Sequence, residues 1–258
     1  MTRPWEPLDR VETPDGVLEL RCRGSKDYLI TIGGRVLMTS MAHRSEDALA
    51  TLGCGPIAER QRANVLVSGL GMGFTLRAAL DALRPDARVT VAELNPVVAT
   101  WCNGPLAPLT RGAVNDPRVQ VVVADVSRLI RSAGDRPDTR YDAIVLDMYE
   151  GPAAAHISPR DPLYGPRAIG WSLAALTPGG TLSVWSERPS QAFEHNLKQA
   201  GFSFERHKRG RGTSVHYVYV AQALQQRLGG AGRAGHRDVP SVSAQPRSEH
   251  LAARRSRA

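Results

Sequence analysis

The residues in this chain best placed to do chemistry are three carboxylates and a glycine-rich turn. The run Asn64-Val-Leu-Val-Ser-Gly-Leu-Gly-Met-Gly73 carries Gly69, Gly71 and Gly73 directly after a short apolar segment. Glycines there let the backbone approach a ligand, and a helix opening just beyond offers N–H groups and a positive dipole end to an anion. Such a turn alone equally suits a dinucleotide enzyme, or a tight strand-to-helix connection with no ligand. Glu93 ends the next apolar run, Arg88-Val-Thr-Val-Ala, where a carboxylate can accept from both hydroxyls of a ribose. Asp125 follows Val121-Val-Val-Ala, placed to accept from an adenine amino group, and Asp147 follows Ile144-Val-Leu. Each acid alone could be a helix cap. Three at successive strand ends point to one crevice at the carboxyl edge of a parallel sheet.

Positioning those residues requires alternating strands and helices, and from Ala63 the pattern supplies them. Strands are predicted at 65–67, 88–92, 119–123, 141–147 and 181–185, with helices over 75–83, from Asn95, over 126–132, up to Leu176 after a long segment, and over 191–200. Pro96 suits a first helical turn, and Pro178-Gly-Gly reads as a turn. Two β-rich stretches, 202–207 and 214–220, form a natural hairpin. Before this unit, 17–22, 28–32 and 35–39 read as a small antiparallel sheet of two or three strands. A helix over 45–52 follows, capped by Ser45 and stopped by Gly53. The division expected is a small β region plus helix over 1–55, a catalytic domain over 56–222 and a basic tail over 223–258.

Composition sets the remaining bounds. The chain has 258 residues, 42% hydrophobic and 22% charged, with a formal net charge of +8. Seven arginines against Asp238 and Glu249 put +5 of that charge beyond Ala223. The tail, rich in Gly, Ala, Arg, Ser and Pro, is expected to be disordered, and contacts with nucleic acid are expected to be weak and confined to it. Cys22, Cys54 and Cys102 have neither disulfide-framework nor zinc spacing, and no metal is expected. With no signal-like N-terminus and no apolar run long enough to span a bilayer, a cytoplasmic protein without a membrane partner is expected.

The series resembles the S-adenosylmethionine-dependent methyltransferase superfamily of class I, and within it the spermidine synthase-like branch. The narrower likeness rests on Ile32-Gly-Gly-Arg-Val-Leu-Met-Thr, the loop Gly69-Leu-Gly-Met-Gly-Phe, Leu146-Asp-Met-Tyr-Glu-Gly-Pro and the closing Gly-Gly-Thr-Leu-Ser-Val-Trp strand with its hairpin. It implies an α/β fold: a Rossmann-like seven-stranded sheet with a C-terminal antiparallel hairpin, preceded by a small antiparallel β region. It also implies S-adenosylmethionine, or its decarboxylated form, bound by Gly69, Gly71, Met72, Gly73, Glu93, Leu94, Asp125, Val126 and Asp147. Asp147 would orient or deprotonate an attacking amine, Glu150 would assist at the mouth and Tyr149 would flank the nucleophile. The acceptor would be a small amine-bearing molecule and the enzyme a homodimer. His156, Asp161 and Tyr164 fall in a long loop that could cover the crevice, whereas His43 and His216 read as structural.

Two departures from spermidine synthases shape the expected reaction. Their loop carries an aspartate that holds the aminopropyl ammonium, and Met72 stands in its place; a neutral side chain would tolerate the carboxylate of intact S-adenosylmethionine. In the preface Leu37, Ala42-His43 and Glu46-Asp47 stand where the usual polar set is expected, and only part of the carboxylates a polyamine site needs can be recovered, from Glu46, Asp47 and Glu150. Methyl transfer to an amine or another nucleophile is therefore the first expectation. The alternatives are aminopropyl transfer from decarboxylated S-adenosylmethionine to a polyamine, and a non-catalytic nucleoside-binding protein. Aminocarboxypropyl transfer from the same donor is also open.

Overall fold

The N-terminal segments pair as four antiparallel strands rather than two or three: β1 (Glu6–Thr13), β2 (Gly16–Arg23), β3 (Asp27–Ile32) and β4 (Arg35–Thr39), in that order. The additional strand, β1, lies on an edge and is mostly exposed, so its sequence lacks the alternating pattern by which a half-buried strand is read. In this computed structural model the described residues are 3–149, 151–153, 158, 160–210 and 215–223. The tail from 224 onward, Glu150 and His156 lie outside them.

Helix α1 (Arg44–Cys54) links the two sheets and departs from expectation at both ends. His43, not Ser45, occupies the N-cap position, and Ser45 Oγ donates instead to Glu46 Oε2 at 2.6 Å. Gly53 does not stop the helix. A Cβ there would lie 2.1 Å from Ser183 Oγ, so glycine lets α1 lie tightly on the main sheet.

The main unit alternates β5 (Asn64–Ser68), α2 (Phe74–Ala82), β6 (Arg88–Glu93), α3 (Pro96–Asn103), β7 (Val119–Val123), α4 (Val126–Gly134), β8 (Tyr141–Leu146), α5 (Pro166–Ala174), β9 (Leu176–Ser186), α6 (Gln191–Ala200), β10 (Phe202–Arg209) and β11 (His216–Ala223). The seven strands run β10-β11-β9-β8-β5-β6-β7. Strands β5 to β9 are parallel, and β11 is antiparallel to both β9 and β10. The predicted helix ends at Ala174, and the predicted Pro178-Gly-Gly turn is instead absorbed into β9, with a register shift between Tyr141 and Ala143 of β8.

Both faces of this sheet are covered, which is why its strands read as continuous apolar runs. Val65, Val67, Val145 and Val218 pack in one core with Leu49, Leu76 and Trp101; Leu66, Ile144, Leu146 and Val184 pack in the other with Ile130, Ile169 and Phe193. The small sheet joins the first core through Leu18, Leu20, Ile30 and Ile32. Trp101 Nε1 also donates to Asp9 Oδ2 at 2.6 Å, tying β1 to α3. Among the described residues no helix is long and apolar enough to cross a membrane.

Candidate active site

The carboxyl edge of the parallel strands gathers most of the residues singled out by sequence. Gly69 continues β5, Glu93 ends β6, Asp125 follows β7 and Asp147 follows β8. Gly69 has φ of +71°, and a Cβ there would lie 2.8 Å from the backbone oxygen of Asp147. Two neighbouring strand ends are therefore drawn together by the absence of one side chain. Gly71 similarly leaves room for the sulfur of Met38 from β4, so the small sheet rests on the glycine loop.

The two nucleoside-binding candidates differ in setting. Glu93 is buried, its Oε2 accepting from Leu70 N and its Oε1 from Asn95 N, each at 2.8 Å. It thus holds the glycine loop in place, and each oxygen keeps a lone pair for a further donor. Asp125 is exposed and caps α4, accepting from Ser127 N at 2.8 Å. Leu94 is exposed at 62%, which leaves an apolar side chain free at this edge, whereas Val126 turns into the second core.

Asp147 is partly buried and accepts a hydrogen bond from Thr75 Oγ1 in the first turn of α2, at 2.5 Å. Burial and the negative charge of Glu46, in the first turn of α1, push its pKa up to about 7, against the lowering effect of the Thr75 bond. Among the described residues no cation acts on it. The crevice thus sets two carboxylates from different elements close enough to repel, an arrangement that favours a bound cation and tunes one acid toward neutral-pH proton transfer. His43 closes the α1 side, its ring stacked on Phe74 with centroids 4.1 Å apart and its Nδ1 2.8 Å from Asp47 Oδ2. Tyr149 is exposed.

Sequence reasoning missed Thr75, whose only signal was its place in the first turn after the glycine loop. It treated Glu46 merely as one recoverable acid. Met72 is the larger correction. Its side chain is fully buried in the first core rather than turned to the crevice.

No family model matches the chain. It is 33% identical over 165 residues to a polyamine aminopropyltransferase of Corynebacterium efficiens, covering 64% of this chain and 30% of that one. It is 29% identical over 171 residues to polyamine aminopropyltransferase 1 of Streptomyces coelicolor, covering 64% and 29%. The chain spans about a third of the length of the curated relatives it matches. Among solved structures, spermidine synthase from Thermotoga maritima superposes with a TM-score of 0.67 at 16% identity, over 86% of this chain and 74% of that one. A spermidine synthase in complex with the transition-state analogue AdoDATO gives a TM-score of 0.66 at 16% identity.

The fold is that of spermidine synthase, an α/β class with a seven-stranded mixed sheet and a four-stranded antiparallel preface. The chain's relatives and structural neighbours place its resemblance in the spermidine synthase-like branch of the class I S-adenosylmethionine-dependent methyltransferase-fold superfamily. They overturn the expectation of methyl transfer, because the matched relatives carry the name of aminopropyltransferases. That expectation leaned on Met72 facing the donor, and Met72 faces the core.

Proposed function

We propose that this chain transfers an aminopropyl group from decarboxylated S-adenosylmethionine to an amine. The observation that carries the reading is its similarity to polyamine aminopropyltransferases over 64% of its length. The pairing of Asp147 with Glu46 supports it, since an amine acceptor arrives as a cation and must lose a proton before attack.

In this reading Glu93 and Asp125 receive the ribose and adenine of the donor, with Leu94 beside the base. Asp147, near neutrality, takes the proton from the acceptor ammonium, and Glu46 favours binding of that cation. The amine lone pair then forms a bond to the methylene carbon next to the sulfonium, and the carbon–sulfur bond breaks with its electron pair moving to sulfur. The products are an aminopropylated amine, methylthioadenosine and one proton. The donor is already activated by its charge, so the protein contributes alignment and proton removal.

The test incubates the full chain with putrescine and either donor, followed by mass spectrometry. Methylthioadenosine and an aminopropylated diamine are expected from the decarboxylated donor alone. Consumption of intact S-adenosylmethionine only, with formation of S-adenosylhomocysteine, would refute the proposal.

A further inference from the structure

Strand order divides the crevice at Asp147. The glycine loop and Glu93 follow from β5 and β6, on one side of β8, whereas β9 and β11 lie on the other. A donor held by the first group leaves the β9 side of Asp147 for the acceptor. The last residues paired between β8 and β9 are Leu146 and Val184, so Asp147 and Trp185 come next, side by side on strands about 4.8 Å apart. Alternate residues of a strand share a face, which puts both on the side of Val145 and Ser183. Two contacts fix that face: Asp147 accepts from Thr75 of α2, and Trp185 packs against the first core, to which Val145 and Leu76 of α2 belong.

Trp185 and Asp147 are both half-buried, so each keeps part of its side chain open at the rim. Val218 of β11 pairs with Trp185 and lies in the first core, which puts His216, two residues earlier, on the same face. Its ring stands 4.9 Å from that of Trp185 between centroids, tilted by 44°. A side chain on Gly151 would collide with the Trp185 carbonyl oxygen, so the segment that follows Asp147 lies directly on the end of β9. Helix α1 covers this face. It begins at the rim, where His43 stacks on Phe74, and ends on the sheet, where the Gly53 carbonyl accepts from Thr181 Oγ1 at 2.6 Å. Asp147, Trp185 and His216 thus form a row across three neighbouring strands, a carboxylate followed by two rings.

We infer that Trp185 is a specificity-determining residue of the acceptor site, its indole face receiving the second ammonium of a diamine whose first nitrogen is held at Asp147. The inference rests on the proposed amine acceptor and names its class: an amine with a second cationic group. An indole face attracts a cation through its ring quadrupole, most strongly where water is displaced. Unlike a further carboxylate, it does so without a charge of its own and adds nothing to the repulsion between Asp147 and Glu46.

Steady-state kinetics of the full chain with the decarboxylated donor would compare putrescine with butylamine, which has the same four-carbon chain but one nitrogen. Wild type, Trp185→Phe and Trp185→Leu are measured, with methylthioadenosine affinity and thermal unfolding followed on the same preparations. In Trp185→Leu the KM for putrescine should rise about fivefold while that for butylamine changes by less than about twofold. Trp185→Phe keeps an aromatic face and should fall between. Methylthioadenosine affinity should hold in both variants. An equal rise for both amines would overturn the inference and mark the ring as an apolar wall; unchanged KM values would overturn it too. Should the leucine variant not fold, the other two proteins decide: a wild type without preference for the diamine, or a phenylalanine variant that affects both amines equally, sinks the inference. In each of these cases turnover by the wild type leaves the functional reading standing. If the wild type turns over no amine with this donor, that reading fails and this inference with it.

Discussion

Asp147→Asn should abolish proton removal and, at the same time, make the protein more stable in alkaline solution. The carboxyl has a pKa of 3.8 when free and about 7 in the fold. A group whose folded pKa is raised favours the native state while it is protonated. Its contribution is complete below the unfolded value and is lost as pH rises through the folded one. The full difference corresponds to about 4 kcal/mol, of which about 2.6 kcal/mol falls between pH 5 and 8. Because the side chain is only partly buried, we discount this to about 2 kcal/mol. Asparagine carries no such titration, and its amide oxygen can still accept from Thr75. The stability gap between variant and wild type should therefore widen in favour of the variant by about 2 kcal/mol from pH 5 to pH 8. For a unit of this size that is about 4–8 °C in melting temperature. Paired thermal melts across this range, with turnover measured on the same preparations, would check both halves. A gap that does not change with pH would refute the assignment of Asp147 as a group held protonated by its surroundings.

Other perturbations probe the neighbours of that carboxylate. Glu46→Gln removes the like charge that helps raise the Asp147 pKa, and the acid limb of the kcat profile should move down by about one pH unit. Thr75→Val removes the bond that lowers it, so the same limb should move up, with measurements made at saturating donor and acceptor. Gly69→Ala places a methyl against the Asp147 backbone at a positive φ; chemical denaturation should show a loss of about 1–3 kcal/mol together with weaker donor binding. Glu93→Ala leaves Leu70 N and Asn95 N without their acceptor, and methylthioadenosine affinity measured by calorimetry should fall at least tenfold, whereas Asp125→Ala should cost far less stability because its cap is exposed.

Much of the scaffold was legible in the chain because its signals are local. Apolar runs such as Val65-Leu-Val and Ile144-Val-Leu, each followed by a turn and a helical pattern, specify parallel strands buried on both faces, and acids at their ends must then share one edge. Helix boundaries were less legible. Gly53 looks like a stop in sequence, but packing on Ser183 makes it part of α1, and β1 hides among exposed polar residues at an edge.

The sequence by itself determined the sheet, the glycine loop and the order of Glu93, Asp125 and Asp147 along one rim, because strand periodicity and turn chemistry act over a few residues. Only the tertiary structure decided which way the side chains between those landmarks point and which distant groups meet. It turned Met72 into the core, brought Glu46 and Thr75 to Asp147 from two different helices, and buried the Tyr164 ring against Phe193. Those outcomes depend on how α1, α2 and α5 pack on the sheet, and contacts between segments so far apart in the chain leave no periodic trace in it.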